Sequence, residues 1–189
     1  MKILVIDNYD SFTYNLVHCI KNITKKMPDV KRNDKITTQE ALLYDKILLS
    51  PGPGIPDEAG NLKDIIKTCA PEKHLLGVCL GMQAIAEVFG GTLTNLNKVY
   101  HGVASPIHKT NEYDSIFNNI PDTFDGARYH SWIVNKNNLP DNLKITAVDD
   151  KNMIMAIKHS ELNIKGVQFH PESILTEYGG LIIKNWIES

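Results

Sequence analysis

The chain has 189 residues, 42% of them hydrophobic and 22% charged, with a formal net charge of -2. That balance supports one domain with a substantial core and carries no electrostatic footprint for nucleic acid or for an anionic membrane surface. Three cysteines (Cys19, Cys69 and Cys79) are an odd number without metal-ligand spacing, so neither a disulfide framework nor a metal site is expected.

The opening MKILVIDNYD meets acidic residues too early for a signal peptide, and no apolar run is long enough to span a membrane. A soluble, reduced, cytoplasmic domain is the expectation. Lys2–Asp7 is a compact apolar run ending in an acid, which predicts a buried parallel strand. Asn8–Ser11 follows as a loop with N-cap candidates, then Phe12–Ile23 reads as a helix. Asp29–Asn33 is a weak strand, Thr38–Leu43 a short helix, and Lys46–Ser50 a second buried strand. Pro51–Pro56, PGPGIP, breaks the chain before a helix over Leu62–Cys69. Leu75, Leu76 and Val78 read as a short central strand, and from Leu80 the apolar spacing turns helical through Phe89 until Gly90-Gly91 stops it. Four strand–helix alternations predict an α/β fold with a doubly wound, mostly parallel sheet, whose ligands sit at the carboxyl ends of the strands.

The second half changes character. Thr92–Asn95, Gly102–His108, Phe124–Arg128, Trp132–Asn135, Leu143–Asp149, Met153–Lys158 and Ile164–Phe169 are short strand-like runs between turn residues. With no repeat period and no linker, they read as added β structure on one domain spanning residues 1–189, closed by a helix over Tyr178–Ile187.

Cys79 falls on the predicted turn between central strand and helix, within Gly77-Val78-Cys79-Leu80-Gly81. This is the cysteine counterpart of the Gly-x-Ser-x-Gly nucleophile elbow. Glycines two before and two after allow a sharp, strained turn. The helix start favours a thiolate, and the free Leu80 N–H suits an oxyanion. A buried structural cysteine is the alternative. In Ser50–Pro56 the paired glycines let backbone N–H groups converge on an anion, as the second half of an oxyanion hole, or form only a rigid turn. A thiol nucleophile needs a base. Of seven histidines, His18 and His74 suit surface or packing roles, and His108 and His159 have no acid close in sequence. His101 and His130, beside aromatics in YHG and RYHSW, are candidates to line a cleft. His170 ends the strand GVQF, and Glu172 lies two residues on, across Pro171, so both side chains can project to one side of an extended segment. A carboxylate there can fix the imidazole tautomer and leave the other ring nitrogen for the thiol proton.

PGPG, GVCLGMQ and FHPES, in this order, resemble the class I (triad-type) glutamine amidotransferases. VIDNYDSFTYNLV, SPGPGIPDEAG, VYHGVASPI, RYHSWIV and GVQFHPESILTEYGG extend the likeness over nearly the whole chain. They narrow it to the glutaminase subunits of chorismate-using synthases, most similar to component II of anthranilate synthase, with the glutaminase of aminodeoxychorismate synthase, or one subunit shared by both enzymes, as the alternative. The resemblance implies a flavodoxin-like α/β fold. It also implies Cys79 as nucleophile, His170 as general base and acid, Glu172 as its orienter, and Gly52 and Leu80 as oxyanion-hole donors. Gly54, Gln83 and the backbone at Ser131 and Trp132 match positions that hold the substrate glutamine, as do Gly52 and Leu80. Two residues depart from the pattern: Val103 where many relatives have lysine, and Trp132 where many have leucine.

The implied reaction is hydrolysis of L-glutamine through a cysteinyl thioester, without a cofactor in this subunit. Ammonium in neutral water cannot attack an electrophile, so ammonia must be delivered under cover. A chorismate-binding component I, with Mg2+ on its side, is the implied partner. Two other classes compete: a Cys-His-Glu hydrolase acting on peptides, and a catalytically silent regulatory binding module.

Overall fold

A computed structural model describes all of residues 1–189. The first half alternates strand and helix: β1 (Ile3–Asp7), α1 (Thr13–Thr24), β2 (Asp29–Arg32), α2 (Thr38–Ala41), β3 (Lys46–Leu49), α3 (Leu62–Cys69), β4 (His74–Val78) and α4 (Leu80–Val88). Then come β5 (Leu93–Asn95), β6 (Val103–Lys109), β7 (Thr123–Arg128), β8 (Trp132–Val134), β9 (Leu143–Asp149), β10 (Ile154–His159), β11 (Ile164–Val167) and α5 (Gly179–Glu188). Every predicted element is present, with ends shifted by a residue or two. The loop before α1 differs in its chemistry from the expectation. Phe12 is the N-cap and gives no side-chain cap. Asp10, among the expected candidates, accepts the Phe12 N–H at 2.7 Å, and Asp7 gathers the rest of the loop, its Oδ1 accepting from the Tyr9 and Asp10 N–H groups and from Thr13 Oγ1.

Nine strands form one sheet in the order β2-β1-β3-β4-β11-β10-β9-β6-β7, and β5 pairs with β8 apart from it. Strands β2, β1, β3, β4 and β11 run parallel, and the other four continue the sheet antiparallel. The added strands are thus mostly an extension of the central sheet rather than a separate layer. The decisive pairing is β11 against β4, with Gly166 opposite Gly77 and Val167 opposite Val78. It sets the chain leaving β11 beside the chain leaving β4.

Alternation along the strands divides the core. Ile3, Val5, Leu48, Leu76 and Val78 face one side, with Leu16, Val17, Ile182 and Trp186 of α1 and α5. Leu4, Ile6, Ile47, Leu49 and Leu75 face the other, with Leu62, Ile65, Ile66 and Ile85 of α3 and α4. Both faces are buried, as a parallel sheet requires. Helix α4 lies close on β4 and β11 because glycine occupies the contact. A Cβ on Gly166 would come within 2.5 Å of Met82 Cγ, and one on Gly77 within 2.5 Å of the Met82 nitrogen. No helix is long and apolar enough to cross a membrane.

Candidate active site

The strand-to-helix turn after β4 is as sharp as its sequence predicts. Cys79 adopts φ 52° and ψ -104°, a conformation L-residues avoid, and its side chain is buried. The flanking glycines are required by space. A Cβ on Gly77 would strike the Gly81 backbone, and one on Gly81 would meet the Leu49 carbonyl and lie 2.8 Å from Leu49 Cβ. The Cys79 N–H donates to the Val167 carbonyl at 2.8 Å, tying the elbow to the end of β11. Leu80 opens α4, so its N–H has no intrahelical partner.

The loop after β3 reaches this turn from the other side. A Cβ on Gly52 would lie 2.6 Å from Leu80 Cδ2 and 2.7 Å from Asn8 Cβ, so only glycine lets the loop come this near. Asn8 braces it: its N–H donates to Ser50 Oγ (2.9 Å), its Nδ2 donates to the Ser50 carbonyl (2.7 Å), and its Oδ1 accepts from Asn33 Nδ2 (3.0 Å). The Gly52 N–H makes no hydrogen bond within the protein. Gly54 stands farther out, exposed, at φ +71° against Glu58. Beside Leu80 a cavity of about 320 Å³ opens between Asn8, Asn33, Pro53 and Glu58. A larger one of about 520 Å³, lined by Met1, Ile3, Ile20 and Ile187, shares no residue with it and lies at the amino end of β1.

His170 arrives from the end of β11. Its Nδ1 pairs with Glu172 Oε1 at 2.7 Å, and both side chains are almost fully buried. The backbone is clamped on both sides. The His170 N–H donates to the Ala127 carbonyl (2.9 Å), while Thr176 Oγ1 donates to the His170 carbonyl (2.7 Å) and accepts from the Ala127 N–H (3.0 Å). Phe12 and Tyr129 pack their rings against the imidazole. Nε2 is buried without a well-formed hydrogen bond. Burial opposes the imidazolium, but the adjacent Cys79 and the hydrogen-bonded, charged Glu172 outweigh it and raise the His170 pKa to about 10.

Behind the elbow, Gln83 and Gln168 are buried side by side. Gln83 Nε2 donates to the Trp132 carbonyl (2.9 Å) and to Gln168 Oε1 (3.1 Å), and Gln168 Nε2 donates to Cys79 Sγ (3.4 Å). Ser131 places its carbonyl on the Leu96 N–H (2.7 Å) and leaves its own N–H free of protein partners. Gln168 was missed in the sequence. It precedes His170 by two positions, the same spacing that singled out Glu172, and that periodicity was the available signal.

The remaining histidines separate. His101 is exposed, edge-on to Tyr129. His108 does have an acid, Asp150 at 2.6 Å, supplied by the pairing of β6 with β9. His130 lines no cleft: it is buried, accepting at Nε2 from Arg128 Nε (3.1 Å) and placing Nδ1 on the Trp132 carbonyl (3.0 Å). Arg128 in turn donates to Asp149 Oδ2 (2.7 Å) and lies 3.6 Å over the Tyr100 ring. Burial, with the Arg128 charge, pushes the His130 pKa down to about 3.

This has a measurable consequence. Above about pH 6.5 the imidazole is neutral folded or unfolded and adds no pH dependence. As pH falls from there towards 3, the unfolded chain takes up a proton that folded His130 refuses, so stability drops by up to about 1.4 kcal/mol per pH unit. Denaturant unfolding between pH 6.5 and 4 should therefore show a shallower acid decline in His130→Gln than in wild type.

The comparisons with known proteins agree with this geometry. The family profile described as "Glutamine amidotransferase class-I" matches residues 4–189. Anthranilate synthase component 2 of Porphyra purpurea is 43% identical over 190 residues, covering 99% of this chain and 99% of its own. The aminodeoxychorismate/anthranilate synthase component 2 of Bacillus subtilis is 45% identical, covering 99% of this chain and 96% of its own. Aminodeoxychorismate synthase component 2 of Escherichia coli is 43% identical, covering 98% of each. Among solved structures, a chain described as a GMP synthase subunit from Thermoplasma acidophilum superimposes with a TM-score of 0.86 at 26% identity, over 100% of this chain and 92% of that one. On a profile match running nearly end to end and relatives similar along their whole lengths, the chain belongs to the class-I glutamine amidotransferases.

Proposed function

We propose that the protein is the glutaminase subunit of anthranilate synthase, releasing ammonia from L-glutamine for a chorismate-binding component I. The observation that supports the chemistry is the parallel seating of β11 beside β4, with the buried His170–Glu172 pair on the chain leaving β11 and Cys79 on the chain leaving β4. Cys79 thiolate attacks the side-chain amide carbon, and the oxyanion is held by the N–H groups of Gly52 and Leu80. The His170 imidazolium gives its proton to the leaving nitrogen, ammonia departs, and a glutamyl thioester remains. Neutral His170, oriented by Glu172, then takes a proton from water as it attacks. Glutamate leaves, and the thiolate–imidazolium pair is restored. Glutamine is held by the remaining expected contacts: Gly54, Gln83 and the backbone at Ser131 and Trp132.

The partner reading is supported by the names of full-length relatives, all component 2 proteins. A second reading has a specific observation behind it: the Bacillus subtilis relative carries both names, aminodeoxychorismate and anthranilate synthase. Incubating the protein with glutamine, chorismate and each candidate component I separates the two. Anthranilate with partner-stimulated glutamate release is expected. Aminodeoxychorismate alone would move the protein to the second pathway, and no glutamate release in any pairing would overturn the proposal.

A further inference from the structure

We infer that Gln168 is a direct hydrogen-bond donor to the Cys79 sulfur, and that Gln83, oriented by the Trp132 carbonyl, fixes the Gln168 amide with its N–H side towards that sulfur. The inference rests on Cys79 being the nucleophile. An amide can present either a donor or an acceptor, and the two have opposite effects on a thiolate: an N–H stabilises it, whereas a carbonyl oxygen repels it.

The polarity follows from groups that cannot turn round. A backbone carbonyl only accepts, so the Gln83 atom facing the Trp132 oxygen must be its nitrogen. That same Nε2 is 3.1 Å from the Gln168 amide, which must therefore meet it with Oε1. Gln168 Nε2 is then the atom left to face Cys79 Sγ at 3.4 Å. The Trp132 carbonyl is held from its other side by His130 Nδ1 at 3.0 Å. That nitrogen must carry the proton, because Arg128 Nε, a permanent donor, occupies Nε2 at 3.1 Å. Arg128 is anchored by Asp149 at 2.7 Å, and Asp149 Oδ1 is in turn held by the N–H groups of Lys151 (3.0 Å) and Met153 (2.8 Å).

Every link is buried except the partly buried Trp132, so water does not compete for the two glutamine amides. Gln168 is also fixed by its backbone, whose N–H donates to the Met155 carbonyl at 2.8 Å. The titratable groups coupled to this arrangement are His170, with Glu172 on its Nδ1, and the neutral His130 beyond Gln83. Gln168 touches the reacting atom. Gln83, beyond its expected contact with substrate, is a positioning residue for that amide, while His130 and Arg128 brace the Trp132 carbonyl from its other side.

The test reads the sulfur without substrate or partner. The rate of Cys79 modification by iodoacetamide is followed by mass spectrometry from pH 5 to 10, in wild type and in Gln168→Met, which keeps the bulk and loses the donor. The midpoint of the rate profile should rise by about one pH unit in Gln168→Met. It should rise further in Gln168→Glu, which faces the sulfur with a carboxylate. Gln83→Met, which frees the Gln168 amide to turn, should also raise it. An unchanged midpoint in a Gln168→Met protein with wild-type circular dichroism and melting would overturn the inference while leaving Cys79 as nucleophile. If that variant does not fold, wild type still decides: the Gln168 side-chain amide resonances should move when Cys79 is alkylated, and unmoved resonances would overturn it. A wild-type Cys79 unreactive at neutral pH would overturn the catalytic reading itself, and this inference with it.

Discussion

Replacing Cys79 by serine is expected to lower glutamate release from L-glutamine on the order of 10⁴-fold or more, with the fold intact. Serine is close in size and inherits the same elbow. Gly77 and Gly81 still clear the turn, the N–H still reaches the Val167 carbonyl, and the His170–Glu172 pair is untouched. What is lost is the nucleophile. A hydroxyl is far weaker than a thiolate unless a base removes its proton in the transition state. His170, with a pKa raised to about 10, is in its acid form at neutral pH. An imidazole that already holds its proton is a poor base for a serine hydroxyl, whose proton is much harder to remove than a thiol's. Steady-state glutamate release, with and without component I, measures the loss. On the proposed division of labour, with the acceptor chemistry on component I, ammonium salts supplied to the complex should restore product. A variant that kept a substantial share of its glutamine-dependent turnover would remove Cys79 from the role proposed for it.

The second large effect lies away from the sulfur. Arg128 and Asp149 form an ion pair whose side chains are only 2% and 4% exposed. Cutting one side leaves the other charge buried without its partner. Arg128→Met should destabilise the protein by about 3–5 kcal/mol. For a domain of this size that corresponds to a melting temperature lower by roughly 10 °C. His130 Nε2 would also lose its donor. Replacing both partners, Arg128→Met with Asp149→Asn, should recover part of the loss, because the uncompensated carboxylate is gone while the two backbone N–H groups on Oδ1 keep an acceptor. Thermal melts of wild type, both single variants and the double variant complete the cycle. If Arg128→Met melted with wild type, the pair would contribute nothing to stability and the buried chain behind Gln83 would need another anchor.

These two predictions differ in how far the sequence alone could have reached them. Cys79 was legible because its requirements are local: two glycines at fixed offsets, an apolar strand before it and a helical period after it. Glu172 was legible for the same reason, being two positions from His170. The strands of the second half were likewise readable one by one, Leu143–Asp149 to the residue. Their order in the sheet was not. Nothing in the residues Ile164–Val167 says that they pair with β4 rather than with each other's neighbours, since a buried apolar run suits any interior position. Arg128, Asp149 and Gln168 were hidden behind that ignorance. Each is an ordinary polar residue until the sheet order sets β7 and β9 on either side of β6, with Arg128 and Asp149 paired across it, and brings β11 beside β4 at the elbow. The acid partner of His108 was missed on the same account. The start of α1 is a different case: the candidates were correctly polar and Asp10 does accept the Phe12 N–H, but the N-cap itself is Phe12, and Asp7, from outside the positions read for a cap, supplies the other side-chain hydrogen bonds of the loop.

The pairing of β11 with β4 also orders events in time. Cys79 and Gln168 lie 89 positions apart. At about 5–20 residues per second, a ribosome needs roughly 5 to 18 s to pass from one to the other. Throughout that interval the nascent chain carries β4 with one edge unpaired and Cys79 without His170 or the Gln168 amide beside it. On the roles proposed above, the site is completed only by the last strand to be made, so an unfinished chain has the elbow but not its proposed base. The same interval exposes an apolar parallel edge to other chains, which makes this junction the place where slow synthesis or a destabilised β11 would first show as aggregation.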